Sequence, residues 1–380
     1  ELLGVKDKTD IDFVALGSGL EFAKNFDKEM KEAGSLVEFP DFDTARYVME
    51  AGPSTNAQGK LEIEFAGARS EKYNAKSRKP KVVSATLEQD LSRRDFTINT
   101  MARKVQSAGL GKIIDLYDGQ IDLKNKILRT PLDPDETFFD DPLRMIRAAR
   151  FASQLNFSIE QKVLDAMLRN AKRLKIVSAE RIIEEFFKLL KTKKPSVGLN
   201  ILYSTKLLDE FLPEVSALAG VEEINGYSHK DNLSHTFAVV DNIAERSDKV
   251  LLRFAGLMHD IAKAPTKKFV RGRGWTFDMH EHLGRKMARQ IGARLRMSKN
   301  DTEYVAKLVR WHLQPIALMD EGITDSPVRR LIVDLKDDLT DLLILCRSDI
   351  TTGNQNKKMH RLKNYDHLEK LIADVTKFRG

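Results

Sequence analysis

The hydrophobic period of this chain changes once, and that change limits what it can fold into. Up to about residue 125, short stretches alternate apolar and polar side chains: residues 10–16, 61–66 and 112–116. A period of two marks a strand with one buried face. Residues 20–33 interrupt the alternation with a helical pattern. From about Pro142 onward the spacing becomes helical and stays so. Leu143, Ile146, Ala149 and Ala152 recur three apart, and Val163, Met167 and Leu174 at longer reach. Ser178 stands where an N-cap belongs, and Pro195 and Pro213 punctuate the region. A turn-rich stretch, 220–232, leads into a second helical block. The pattern predicts the α+β class: an α/β head over 1–125, an all-α neck and body over 126–218, and an all-α domain over 219–380. Residues 67–84 are basic, polar and without period, and are expected to form a mobile loop.

At 380 residues the chain is too long for one ordinary core. It is 42% hydrophobic and 31% charged, as soluble globular proteins are, and no apolar run approaches the roughly 18 residues of a membrane span. Glu1-Leu2-Leu3-Gly4 lacks the basic start and apolar core of a signal peptide. The single cysteine, Cys346, excludes an intramolecular disulfide and suits a reducing cytoplasm. Its apolar neighbours Leu342-Leu343-Ile344-Leu345 make it a core thiol. Net charge is 63 − 56 = +7, compatible with a polyanionic partner such as RNA but not diagnostic of one.

Asp10-Ile11-Asp12 sets two carboxylates on one face of a strand. Held together they repel, and a divalent cation with nucleotide phosphates relieves the repulsion. A bare pair of this kind is more often a solvated strand end. Glu64, on another strand, is a third carboxylate that could complete such a site. The string Ser92-Arg93-Arg94-Asp95-Phe96-Thr97-Ile98-Asn99-Thr100-Met101-Ala102 is more specific. Adjacent arginines offer forked donors for phosphate or ribose, and on a helix Asp95 and Asn99 would share a face.

This string resembles the Arg-Arg-Asp-Phe-Thr-x-Asn-Ala-Met-Ala motif of class II tRNA nucleotidyltransferases and bacterial poly(A) polymerases, with Thr100 in place of an alanine. Leu2-Leu3-Gly4 and Asp10-Ile11-Asp12 resemble the second half of the family's first motif. The preceding Gly-Gly-x-Val-Arg-Asp, which cradles the triphosphate in that family, is absent from this sequence, and a segment carrying it is expected ahead of Glu1. Asp115-Leu116-Tyr117-Asp118-Gly119 resembles the hinge motif between head and neck. Asp140-Asp141-Pro142-Leu143-Arg144 resembles Glu-Asp-x-x-Arg, with Asp140 for the usual Glu. Glu180-Arg181-x-x-Glu184 resembles the last motif, which supports the template helix. The resemblance implies a polymerase beta-like head, with Asp10, Asp12 and Glu64 as catalytic carboxylates binding Mg²⁺. It implies nucleotide binding by Arg93, Arg94, Asp95, Asn99, Asp141, Arg144 and Arg147, with Asp141 and Arg144 reading the base edge from one helix face.

The second half carries His235, then His259-Asp260, then Asp349, in the order of the HD superfamily, and His280 and His312 match extra histidines of members with two metals. Those six residues are the expected ligands of a divalent metal whose identity is left open. His229 and His282 flank the set. The basic stretch 267–275 reads either as a grip on RNA backbone or as a solvated loop. Taken together, the resemblance implies a template-independent enzyme adding CMP and AMP from CTP and ATP to the 3′ end of tRNA or another RNA. The alternatives are a poly(A) polymerase, or an HD phosphohydrolase as the main activity. A non-catalytic RNA binder has no need of such carboxylate clusters. Oligomeric state is not readable.

Overall fold

The computed structural model describes residues 2, 10–50, 60–74, 77–224, 226–228, 231–318 and 325–377, in two compact units, 1–141 and 142–380. Leu3, Gly4 and His229 lie outside the described residues. The first unit is built on a four-stranded sheet in the order β1 (Asp10–Ala15), β4 (Lys60–Gly67), β3 (Thr44–Glu50), β2 (Ser35–Phe39). β1 is parallel to β4, and the other two pairings are antiparallel. Helix α1 (Gly19–Glu29) covers one face, where Ala23 and Phe26 meet Phe13, Ala45, Tyr47, Ile63 and Phe65. Phe13 stacks on Phe65 at 5.3 Å between centroids. Side chains alternate along a strand, so the odd-numbered residues that build this core leave the even-numbered acidic ones on the opposite face.

Asp43 seats the start of α1. Its backbone is left-handed, at φ 46°, and its carboxylate accepts from Ser18 Oγ at 2.7 Å, Gly19 N at 3.0 Å and Leu20 N at 3.2 Å. Burial pushes the carboxyl up, but those three donors outweigh it and hold the pKa below the ordinary 3.8. A Cβ on Gly19 would lie 2.4 Å from Gly67 N, so only glycine lets the helix start reach the end of β4.

The expected loop over 67–84 is instead a β-hairpin, β5 (Arg69–Asn74) against β6 (Ser77–Ser84). Backbone pairing by itself needs no apolar alternation, so period could not reveal it. Next come α2 (Leu87–Ser92), with a capping box from Thr86 and Gln89, and a second hairpin, β7 (Ala102–Gln106) with β8 (Gly109–Ile114). Asp115 caps α3 (Gly119–Asn125) by accepting from Gly119 N at 2.8 Å and Gln120 N at 2.9 Å. Burial opposes these bonds, and they again leave the carboxyl below 3.8. Asp122 of α3, 2% exposed, takes Arg129 Nε at 2.8 Å and Thr97 Oγ1 at 2.6 Å. Helix α4 (Pro134–Asp140) closes the unit.

The second unit is helical, as its period demands. It opens with α5 (Leu143–Leu155), α6 (Gln161–Asn170), α7 (Ala179–Leu190) and α8 (Pro195–Ser204). Leu143, Ile146, Ala149, Ala152, Val163, Met167 and Leu174 are all buried. Ser178 is the N-cap residue of α7 by position, although its side chain makes no capping bond. Helices Asn232–Ala244, Val250–Met258, His280–Arg294, Lys299–Trp311 and Leu339–Ser348 follow. Arg253, 3% exposed, ties this block to the end of α7 by donating to Leu190 O at 2.7 Å, Thr192 O at 2.9 Å and Ser247 O at 2.9 Å. Among the described residues no helix is long and apolar enough to cross a membrane.

Asp122→Ala removes the buried carboxylate that Arg129 and Thr97 bond and should destabilise the first unit by about 1–3 kcal/mol, read from its transition in scanning calorimetry. Asp43 and Asp115 have depressed pKa values, so their contribution to stability is complete above their unfolded values and is lost as pH falls through the folded ones. The first unit should therefore weaken between about pH 5 and pH 3, and Asp43→Asn should flatten that dependence.

Candidate functional site

The sheet registers Asp10 against Glu62 and Asp12 against Glu64, with Arg46 of β3 beside Glu64. Asp12, Glu62 and Glu64 thus form an acidic row on the face that α1 leaves uncovered; the side chain of Asp10 lies outside the described ones. Asp12 is exposed and Glu64 half-buried. Arg46 lies 3.6 Å from Glu62 and 3.9 Å from Glu64, the one cation set into that row among the described ion pairs. Carboxylates crowded on adjacent strands repel each other, and hard oxygen donors with one guanidinium between them suit a divalent ion.

The arginine pair follows α2 and is held from below by a residue that motif reading passed over. Asp90, 1% exposed, receives Arg93 Nη2 at 2.7 Å and Nε at 3.2 Å on one oxygen, and Arg94 Nη2 at 3.3 Å on the other. Arg93 Nε also donates to Arg69 O at 2.8 Å, and Arg94 Nη1 to Asn99 O at 3.1 Å. Spacings of three and four from Asp90 to the arginines were the available signal. Asp95 and Asn99 do meet, with Asn99 Nδ2 at 3.0 Å from Asp95 Oδ1, but across a 3₁₀ turn over 97–99 rather than along an α-helix. Asp95 also accepts from Phe96 N at 2.9 Å.

Asp141 and Arg144 do not share one helix. Asp141 is extended, φ −136° and ψ 98°, and ends α4, whereas Arg144 lies buried in the first turn of α5. Pro142 explains the break, since a residue before proline is driven out of the α region. Arg147, a turn further on, is half-buried with its guanidinium 5.3 Å from the Phe151 ring. The support of α5 is also one residue from its expected place. Glu184 is exposed and bonds Lys188, while Glu185, buried, pairs with Arg150 of α5.

Six histidine and aspartate side chains converge in the second unit, as two groups of potential ligands: His235, His259 and Asp349, then Asp260, His280 and His312. Asp260 joins the groups. Its Oδ2 is 3.1 Å from His259 Nε2 and 3.6 Å from His235 Nε2, and its Oδ1 is 3.3 Å from His280 Nε2 and 3.7 Å from His312 Nε2. His235 Nε2 lies 2.9 Å from Asp349 Oδ1. The outer nitrogens are all bonded. Nδ1 of His259, His280 and His312 each meets the carbonyl three residues earlier, at 2.7, 2.8 and 2.7 Å, and that of His235 meets Thr351 Oγ1 at 2.8 Å. An imidazole that donates through Nδ1 turns a lone pair inward at Nε2. Those of His280 and His312 face each other at 3.3 Å. His259 Nε2 is buried without a hydrogen-bond partner, although carboxylate oxygens lie within 3.6 Å. Acceptors gathered at such range need a cation, so the donor set fits a divalent metal. Burial lowers the affinity of His259 for a proton, yet Asp260 and Asp349 override it and raise its pKa to about 10. Burial and the charge of His259 push His312 down to about 4. Lys263 Nζ, 2.6 Å from Asp260 Oδ2, is a second cation beside that carboxylate. It sits three residues from Asp260, a spacing that could have flagged it; nothing in the sequence singled out Thr351. His282 points elsewhere, 3.6 Å from Glu281, and Cys346 is a buried thiol donating to His312 O at 3.1 Å.

Three family descriptions match in order: the Poly A polymerase head domain over residues 1–129, the probable RNA and SrmB-binding site of polymerase A over 156–218, and the HD domain over 232–349. The Multifunctional CCA protein of Neisseria meningitidis serogroup B is 36% identical over 258 residues, 66% of this chain and 59% of that protein. The protein of the same description from Vibrio parahaemolyticus is 32% identical over 276 residues, 70% of this chain and 65% of that one. The chain thus spans less than two thirds of the length of these curated relatives. A tRNA nucleotidyltransferase solved with a primer tRNA and an incoming ATP analog superposes with a TM-score of 0.64 at 23% identity, covering 97% of this chain and 92% of that one. The Thermotoga maritima CCA-adding enzyme complexed with tRNA gives 0.63 at 19%, covering 99% and 75%. At these identities the likeness establishes the fold.

Divalent metal should raise the melting midpoint of the second unit, and chelator should reverse the rise. At about a hundredfold excess of Mn²⁺ over its dissociation constant the gain is roughly 2.7 kcal/mol. Asp260→Ala, which removes the carboxylate common to both groups, should abolish that gain in scanning calorimetry.

Proposed function

Because the chain belongs to the nucleotidyltransferase family that joins a poly(A) polymerase head to an RNA-binding segment and an HD domain, we propose that it adds nucleotides to the 3′ end of RNA without a nucleic-acid template. CCA addition to tRNA from CTP and ATP is the favoured form, since the curated relatives are Multifunctional CCA proteins. The observation that carries the reading is the acidic row on the open sheet face, in the same unit as the carboxylate-braced arginine pair. The RNA 3′-oxygen forms a bond to the α-phosphorus of the nucleotide, the bond from that phosphorus to pyrophosphate breaks, and the hydroxyl proton is released.

Asp10 and Asp12, with Glu64, are the residues that would hold divalent ions, and hard oxygen donors in a nucleotide site favour Mg²⁺. Bound there, such ions neutralise charge on the nucleophile and the leaving pyrophosphate. Arg93 and Arg94 take phosphate and ribose oxygens, and Asp95 with Asn99 keeps the turn beneath them in shape. Asp141 offers acceptors and Arg144 a planar donor fork to the base edge, with Arg147 in the same nucleotide-binding set. Those three roles rest on the family motif. A cytoplasmic setting belongs to this proposal and is supported by the lone, buried Cys346.

A second reading is favoured by a separate observation, the six-ligand cluster. It suits hydrolysis of a phosphomonoester or a cyclic phosphodiester, for which a divalent ion held by those six residues would supply Lewis-acid chemistry. The two activities separate by mutation. Asp10→Ala or Asp12→Ala should abolish incorporation of labelled CMP and AMP into tRNA lacking its 3′ end, with the melting profile unchanged. Asp260→Ala should leave incorporation intact and remove hydrolysis. Sequencing the product made with all four nucleotides distinguishes CCA from poly(A). Full incorporation by Asp12→Ala would overturn the carboxylate assignment.

A further inference from the structure

The arginine pair poses a physical problem that the motif does not solve. Adjacent guanidinium groups repel each other, and each sits on a long side chain with many rotamers. A nucleotide would have to overcome both effects on binding unless the fold had already met them. Asp90 meets them. It lies in the last turn of α2, 1% exposed, and each of its oxygens serves one arginine. Each guanidinium is also tied to a backbone carbonyl, Arg93 to Arg69 O and Arg94 to Asn99 O. Arg69 runs the brace back to the sheet: its N is 3.4 Å from Asp90 Oδ1, and its Nη1 donates to Phe42 O at 2.6 Å and to Thr44 Oγ1 at 3.0 Å. Thr44 begins β3, the strand that carries Arg46 into the acidic row. The arginine side chains keep 22% and 29% exposure, so they stay open to solvent while being held from beneath.

We propose that Asp90 is the positioning residue of the Arg93–Arg94 pair, fixing both guanidinium groups for the phosphates of an incoming nucleotide. The inference rests on the nucleotide role given to that pair above. Its sign separates it from plain electrostatics. Asp90 cancels one of the two positive charges, so if charge alone mattered, its removal would tighten the binding of a triphosphate. If placement matters, removal loosens it.

The test is equilibrium binding of ATP to the full chain, with thermal melting alongside. Asp90→Asn should weaken ATP binding about tenfold, the range of a lost hydrogen bond to a charged group. Asp90→Glu keeps the charge, lengthens the arm by one methylene and should also weaken binding. It serves as the test if the Asn variant does not fold. In a background of Arg93→Ala with Arg94→Ala, the change at Asp90 should add nothing, because there is no pair left to place. Tighter binding by Asp90→Asn, or unchanged binding by Asp90→Glu, would overturn the inference, as would an equal loss with the arginines gone. If the arginine double variant binds ATP as the parent does, the nucleotide role of the pair itself fails, and the inference falls with it.

Discussion

A carboxylate can leave water only beside a cation or a set of hydrogen-bond donors, and much of this structure is arranged around that constraint. Asp90 is closed by Arg93 and Arg94, Asp122 by Arg129, Glu185 by Arg150 and Asp341 by Lys249. The last two join segments far apart in the chain, whereas Asp90 serves arginines only three and four residues away. Asp122 brings the start of α3 to the turn that follows the arginine pair. Glu185 fixes α7 to α5. The gain from such a pair over an apolar one is small, but removing the cation is costly, because the buried carboxylate is left charged and dry. The pairs therefore act mainly as specifications of geometry.

The acidic row and the histidine cluster gather carboxylates beyond the cations set beside them, the row in contact with solvent and the cluster largely buried. In the row, Arg46 is shared between two glutamates at 3.6 and 3.9 Å, longer than an ideal pair. In the cluster, one lysine serves a carboxylate that four imidazoles also face. Three of those imidazoles are aimed by one local device, an Nδ1 bond to the carbonyl three residues earlier. The device needs only a helical or near-helical turn, so it can be repeated at separate points of the chain. It fixes the tautomer and orients Nε2 before any metal arrives. An unmet charge requirement at a preformed site is what binding a cation consists of.

Much of this was legible along the chain. The change of period at about Pro142 separated a sheet-bearing unit from a helical one, because burial on one face imposes its period on any element. The hairpin over residues 69–84 escaped, since its backbone pairing leaves no apolar signature. The helix break at Pro142 was written in the proline but was overridden by the motif, which suggested one continuous face for Asp141 and Arg144. Motif matching also landed on Glu184 where Glu185 makes the contact, a difference that a helix resolves by turning each residue about 100° from the last.

By itself the sequence determined the classes of element, their order and the identity of the chemical groups, because these depend on local propensity and on the kind of side chain available. It also determined that Asp10 and Asp12 share a strand face and that His259 and Asp260 are adjacent. Only the tertiary structure decided the partners. It set Asp12 in register with Glu64, placed Asp90 beneath both arginines, and gathered His235, Asp260, His280, His312 and Asp349 from positions more than a hundred residues apart at the extremes. Which groups meet depends on how whole elements pack, and packing is chosen by the summed burial of many side chains, so no short stretch of sequence carries the answer.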